Sequence, residues 1–255
     1  MINIKDYPLL LFVLSFFVLW LSVRIGVFFR RRQPKLEEDT SGDFGVIIGA
    51  TLTLLALIIG FSFSMAVSRY DQRKNYEEEE ANAIGTEYVR ADLLPAADAE
   101  KVRALLKSYL DQRILFYETR NAQQIRQINA RTAKLQAELW SAILPSVAAQ
   151  PTPPIALVVS GMNDVLNSQG YTQAAWWNRI PRAAWVLMAA IAICCNVLFG
   201  YGGRTVKADG ILLLVLPLVL SIGFFLIADI DSPRGGVIRV IPQNLASLAE
   251  SLRAQ

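Results

Sequence analysis

Residues 44–95 read FGVIIGATLTLLALIIGFSFSMAVSRYDQRKNYEEEEANAIGTEYVRADLLP. A bilayer core of about 30 Å needs roughly 20 apolar residues in a helix, and residues 44–67 supply such a run. The charged half follows with nothing to break a helix between Gly45 and Gly85. The pattern therefore predicts one helix that leaves the membrane and continues through the acidic run. At 3.6 residues per turn, one face carries Gly49, Thr53, Ala56, Gly60, Phe63 or Ser64, and Val67. The same face continues through Asp71, Lys74, Glu78, Ala81, Gly85, Val89 and Asp92. Small residues at this spacing let helices approach closely, either within one subunit or around the axis of an oligomer. In the second case the face lines a pore.

Glu77–Glu80 are four consecutive acids, and consecutive helical residues advance about 100° each. They cannot share one solvated side, so at least one turns toward whatever the stripe faces, and Glu78 is the best placed. Arg73 and Lys74 stand four residues before Glu77 and Glu78. Such pairs contribute only a few tenths of a kcal/mol, less in this basic-first order. Pairing makes the charge tolerable without explaining its concentration. An acidic ring would raise the local cation concentration or hold a divalent cation.

The whole chain supports the membrane reading. It is 53% hydrophobic over 255 residues and carries a formal net charge of only +3. Four stretches are long and apolar enough to span: 9–29, 44–67, 183–199 and 211–230. The first is too long for a signal peptide and ends in Phe28-Phe29-Arg30-Arg31-Arg32 without a small-residue cleavage site, so it reads as a retained anchor. Cys194 and Cys195 are adjacent within the third span and define no disulfide framework or spaced metal site. The chain has no histidine, and it lacks nucleophile-elbow, P-loop, dinucleotide and zinc-protease motifs. These observations argue against an enzyme. No basic stripe suggests nucleic acid.

The expected fold is an all-α integral membrane protein with four transmembrane helices in two hairpins. The first hairpin occupies residues 1–67 and the second 181–230, with a helical insert at 68–180 and a tail at 231–255. Asp98–Leu144 contains no proline or glycine, enough for a rod of about 70 Å, with a bend near Asn121. Apolar stripes run through Val102, Leu105, Leu106, Tyr109, Phe116 and Tyr117, and then through Ile125, Ile128, Leu135, Leu139 and Trp140. Pro145 and the run PTPP at 151–154 are expected to end that helix, and a shorter one is expected at 155–168. Trp176 and Trp177, with Arg179 and Arg182, read as an interfacial anchor. Pro217 should kink the fourth span. Loop charges at Arg30–Arg32, Lys35, Arg204 and Lys207, against Lys5, put the hairpin loops in the cytoplasm and the insert outside. Arg69, Arg73, Lys74, Arg179 and Arg182 pull the other way.

Asp229 and Asp231 end the fourth span, and Ser232-Pro233 stops it. Arg234-Gly235-Gly236 makes a turn, and VIRVIP follows as a short strand or extended arm. Asp229 calls for a partner, with Arg69 and Arg90 as candidates. The rival role for Asp229 and Asp231, with Glu78, is metal ligation.

EEANAIGTEYVRADLLP at 79–95, NRIP at 178–181 and DIDSPRGGVIRVIPQNL at 229–245 resemble a bacterial membrane family described as bestrophin-like. The resemblance covers nearly the whole chain. It implies a four-span protein of the bacterial inner membrane with a helical insert and, by more distant analogy, an oligomeric ion channel. Bestrophins are pentameric anion channels with apolar constriction residues on the second span, and Ile59, Phe63 and Val67 resemble such a neck. The acidic run departs from what an anion-selective entry would carry.

The preferred reading is a homo-oligomer in the lipid bilayer that conducts inorganic ions. Gly49, Thr53, Ala56, Gly60, Phe63 and Val67 would line the path, and Asp71, Glu78, Arg90, Asp229 and Asp231 would serve as entry charges or ion pairs. No cofactor is expected beyond a divalent cation. The alternative is a membrane-anchored scaffold or sensor whose long amphipathic insert binds a protein partner.

Overall fold

The structure is a computed structural model that describes residues 7–32, 40–149, 151–202 and 211–254. Lys5, Lys35, Arg204 and Lys207, which carry much of the orientation argument, lie outside the described residues. Among the described residues the only regular structure is helical. The helices are α1 (Pro8–Arg32), α2 (Thr40–Arg90), α3 (Ala96–Glu118), α4 (Ala122–Ala149), α5 (Pro153–Trp177), α6 (Arg182–Gly202), α7 (Leu212–Asp231) and α8 (Gln243–Arg253). A short 3-10 turn, Ala91–Leu93, follows α2. Four runs are long and apolar enough to cross a membrane: Pro8–Arg32, Gly45–Leu93, Pro153–Gly202 and Leu212–Asp231. In the second and third, the apolar stretches are those at 44–67 and 183–199.

The chain forms two compact units, Met1–Arg69 with Arg179–Arg239, and Tyr70–Asn178 with Val240–Gln255. In the first, α1 packs on α6 and α7. The crossing of α1 and α6 depends on two glycines. A Cβ on Gly26 would stand 2.1 Å from the Val197 carbonyl oxygen, and one on Gly200 would stand 2.2 Å from that of Val23. Backbone therefore meets backbone there, the close approach that small residues permit in lipid. Val23, Val27 and Leu213 fill the adjoining core with Phe199 against it. Pro217 lies inside α7 and is buried, so the helix passes through it. Outward-facing apolar residues such as Leu9, Phe17, Val186 and Val219 meet lipid rather than water in this setting.

In the second unit, Ile84, Val102, Leu106, Tyr109, Leu135, Leu139, Val158 and Met162 belong to one core. The expected long rod is two helices, α3 and α4, joined at residues 119–121 and packed on each other. Asn121 starts α4 by accepting the amides of Gln123 (2.8 Å) and Gln124 (3.2 Å), the usual role of an N-cap asparagine. Pro145 does not end that helix, contrary to the expectation from sequence. Leu139, Ala142, Ile143 and Ser146 are buried on either side of it, and Ser146 donates to the Asp98 carboxylate of α3. Packing thus carries α4 past the missing amide. Pro153 opens α5 from its first turn, where its absent N–H costs nothing, and α5 continues to Trp177 rather than stopping near residue 168. Trp176 is a core residue, 5% exposed, with its ring centroid 4.9 Å from that of Phe116, whereas Trp177 is 75% exposed. Trp176 is thus packed into the core rather than exposed as the expected anchor required, while Trp177 is exposed. The segment after Gly236 bends at Val237 and Ile238 and forms no strand, and it leads into α8, whose Leu245, Ala249 and Leu252 are buried.

The glycine crossing makes a direct prediction. Gly200→Leu should destabilise the protein by about 1–3 kcal/mol or more through overpacking. Gly49→Ala, where a Cβ meets nothing within 4 Å, should bring no such overpacking loss within the subunit. Thermal unfolding of the two variants in detergent measures the difference.

Candidate functional site

The second helix presents two contrasting faces. Gly49, Thr53, Ala56, Gly60 and Phe63 are exposed, as are Asp71 and Glu78, while Val67 is half-buried. Gly49 and Gly60 have nothing within 4 Å of a built Cβ, so this stripe is not a packing seam within the described chain. The Thr53 hydroxyl donates to the Gly49 carbonyl at 2.9 Å and so needs no partner from elsewhere. Ala56, Gly60 and Phe63, with Ile59, border an open apolar groove of about 490 Å³ against Leu216, Leu220 and Gly223 of α7. Further along, Ala81 is buried and Gly85 packs on Leu248 of α8, whereas Val89 and Asp92 of the same stripe are exposed.

The opposite face holds the acids that turn inward. These are Glu77 and Glu80, whereas Glu78 and Glu79 are exposed. Glu80 and Arg113 form a fully buried ion pair, made by the Arg113 Nε and extended by Nη2 at 3.4 Å. The hydroxyls of Tyr117 and Thr172 each donate to the same carboxylate at 3.3 Å. Burial pushes the Arg113 guanidinium down, but Glu80 and the neighbouring Tyr109 outweigh it and hold the pKa above its usual value. Burial, reinforced by the Glu80 charge, raises Tyr109 and Tyr117 well above the ordinary phenol range, so both stay neutral. One helical face thus ties α2 to α3 and α5.

Glu77 has a different task. Its Oε1 accepts the Leu245 amide at 2.9 Å and its Oε2 accepts the Asn244 side chain at 2.7 Å. These donors lie in the first turn of α8, where unpaired amides and the helix dipole favour a carboxylate. Pro242 precedes the helix and supplies no side-chain cap, so Glu77 serves as one from another element.

Arg90 donates Nη1 to the Leu157 carbonyl at 3.4 Å. Asp229, only 2% exposed, is met by main-chain donors rather than by an arginine: the amides of Val237 and Ile238, both at 2.8 Å. Gly236 makes that turn possible, since a Cβ there would lie 2.3 Å from the Asp229 carbonyl oxygen. Asp231 accepts the Ile180 amide at 3.1 and 3.3 Å from its two oxygens. Asp229 pins the turn that follows α7, and Asp231 ties the end of α7 to the joint before α6. Among the described residues no group of three or more His, Cys, Asp or Glu side chains is placed to hold a metal ion.

A bestrophin-like domain model matches residues 15–245. The chain belongs to the bestrophin-like family. A bestrophin homologue from Klebsiella pneumoniae, solved as a tryptophan-to-alanine variant, is similar over 95% of this chain and 94% of its own, with 14% identity and a TM-score of 0.64. The homologue phased on zinc covers 94% and 95% with the same identity and TM-score. A further membrane-protein structure, 13% identical, covers 95% and 97% with a TM-score of 0.68. At these identities the likeness establishes the fold. Among curated proteins none matches the sequence.

For this bestrophin-like chain, sequence reading located the acidic run and put Glu78 on the side of the small-residue stripe, while the acids buried in the core are Glu77 and Glu80. The buried face was signalled by Arg73, Glu77, Glu80, Ile84 and Glu87, spaced three or four apart. Arg113 gave no local signal, because its partner is 33 residues away.

Two predictions follow from these charges. Arg113→Met, which strands a buried Glu80, should cost about 3–5 kcal/mol, and adding Glu80→Leu should restore much of it; thermal unfolding of the single and double variants tests the coupling. Glu87 is fully buried, and burial, opposed by Arg90 and assisted by Asp164, lifts its pKa from 4.5 to about 8. The folded state therefore holds this proton more tightly than the unfolded state. Its contribution to stability is complete below pH 4.5 and is lost as pH rises to about 8. Glu87→Gln should flatten that slope in denaturant unfolding followed across the same range.

Proposed function

We propose that the chain is one subunit of a homo-oligomeric ion channel in the bacterial inner membrane. Its four spans pair as two hairpins around a helical insert, and α2 lines the path. The observation that carries this reading is the exposed face of α2. A surface made for lipid gains from bulky apolar side chains, yet here it presents Gly49, Thr53, Ala56 and Gly60. Small residues suit the close approach of several copies around an axis. Phe63 and Val67 follow at helical spacing and supply an apolar constriction, which gates by excluding water. Asp71 and Glu78 stand on the same side of the helix beyond the apolar run. Carboxylates at a mouth concentrate cations and repel anions.

The family membership supports a bestrophin-type membrane protein, and the full-length likeness to bestrophin homologues supports the arrangement of the spans. The test is ion flux from liposomes holding the purified protein. Phe63→Ala should raise flux by widening the constriction, and Glu78→Gln should lower the preference for cations over anions. A monomeric protein without flux would refute the proposal, and unchanged currents would remove those residues from the path.

A further inference from the structure

Among the described residues, Glu87 is the fully buried carboxylate of α2 that accepts no hydrogen bond. It lies on the last turn of the helix, and neither carboxyl oxygen has a hydrogen-bond partner. Its neighbour across the helix interface is Gly161 of α5. A Cβ at Gly161 would stand 2.1 Å from Glu87 Oε2 and 2.4 Å from Arg90 Nη1. Acid and guanidinium therefore approach the same bare stretch of α5. Even so, Arg90 is turned to the Leu157 carbonyl, one helical turn before Gly161, and no ion pair joins it to Glu87. An ionised carboxylate without partners is costly in such a place, whereas a protonated one is tolerable.

We infer that Glu87 is a proton-operated latch between α2 and α5. With its proton, Glu87 rests neutral against Gly161 while Arg90 holds the Leu157 carbonyl. When that proton passes to water, the carboxylate takes Arg90, the carbonyl is released and the first turns of α5 loosen from α2. The charges acting on Glu87 are Arg90 from its own helix, which favours ionisation, and Asp164 from α5, which opposes it. Asp92 of the adjoining 3-10 turn is held by Arg103 of α3. The upward shift of Glu87 to about 8 places the switch just above neutrality. The latch does not depend on α2 lining an ion path.

The test uses the full chain in lipid nanodiscs. Infrared titration follows the protonated-carboxyl band, and hydrogen exchange follows the start of α5. Each is compared with Glu87→Gln at the same pH, so that the intrinsic chemistry of exchange cancels. Wild type should lose a carboxyl band near pH 8 that Glu87→Gln lacks. Over the same range, exchange at residues 155–163 should rise about tenfold relative to that variant. Asp164→Asn is a surface change that leaves the core intact, and by removing the like charge it should move the midpoint downward. Loss of the band already below about pH 6, a midpoint unmoved by Asp164→Asn, or a flat exchange ratio through the titration would each overturn the latch.

Discussion

The buried Glu80–Arg113 pair sets the rotation of α2, and the rest of the reading depends on that rotation. Glu80 is bound by three side chains from α3 and α5, so this face of the helix cannot turn away without leaving charges stranded in a core. Glu77 and Glu87, one turn and two turns away, are held inward with it. Residues about half a turn removed must then point out. Asp71 and Glu78 do so, and in the apolar run Gly60 and Thr53 are likewise exposed.

The acidic run thus holds two populations. Glu77 and Glu80 are structural, the first capping α8 and the second balancing Arg113. Glu78 and Glu79 remain free to act on solvent or ions. Four adjacent acids on one helix cannot do otherwise, because each step of about 100° sends the next in a new direction.

Much of the fold was legible because it follows from one-dimensional patterns. Apolar length marked the membrane helices, and the amphipathic stripes of α3 and α4 marked their buried faces. The break at Asn121 could be read from the polar stretch around it, and the asparagine now proves to be the N-cap of α4. Errors arose where a distant partner decided the outcome. Pro145 looked like a helix end, but Asp98 and the core hold the helix beyond it. Trp176 looked interfacial until Phe116 and Tyr117 enclosed it. Small-residue spacing suggested α2 as a close-contact helix, while the described chain shows a close backbone crossing at Gly26 and Gly200, a pair from two helices that no single stretch reveals. Asp229 suggested an arginine partner because sequence shows side chains, and the main-chain donors that meet it are invisible there.

The central claim is that the outward face of α2 meets its own copies around an axis. An experimental structure of the purified protein in lipid nanodiscs tests it most directly. The account predicts a closed ring of subunits in which Thr53, Gly60, Phe63, Asp71 and Glu78 of every copy face a common axis. A monomer, or a ring in which that face is turned to lipid, would contradict it.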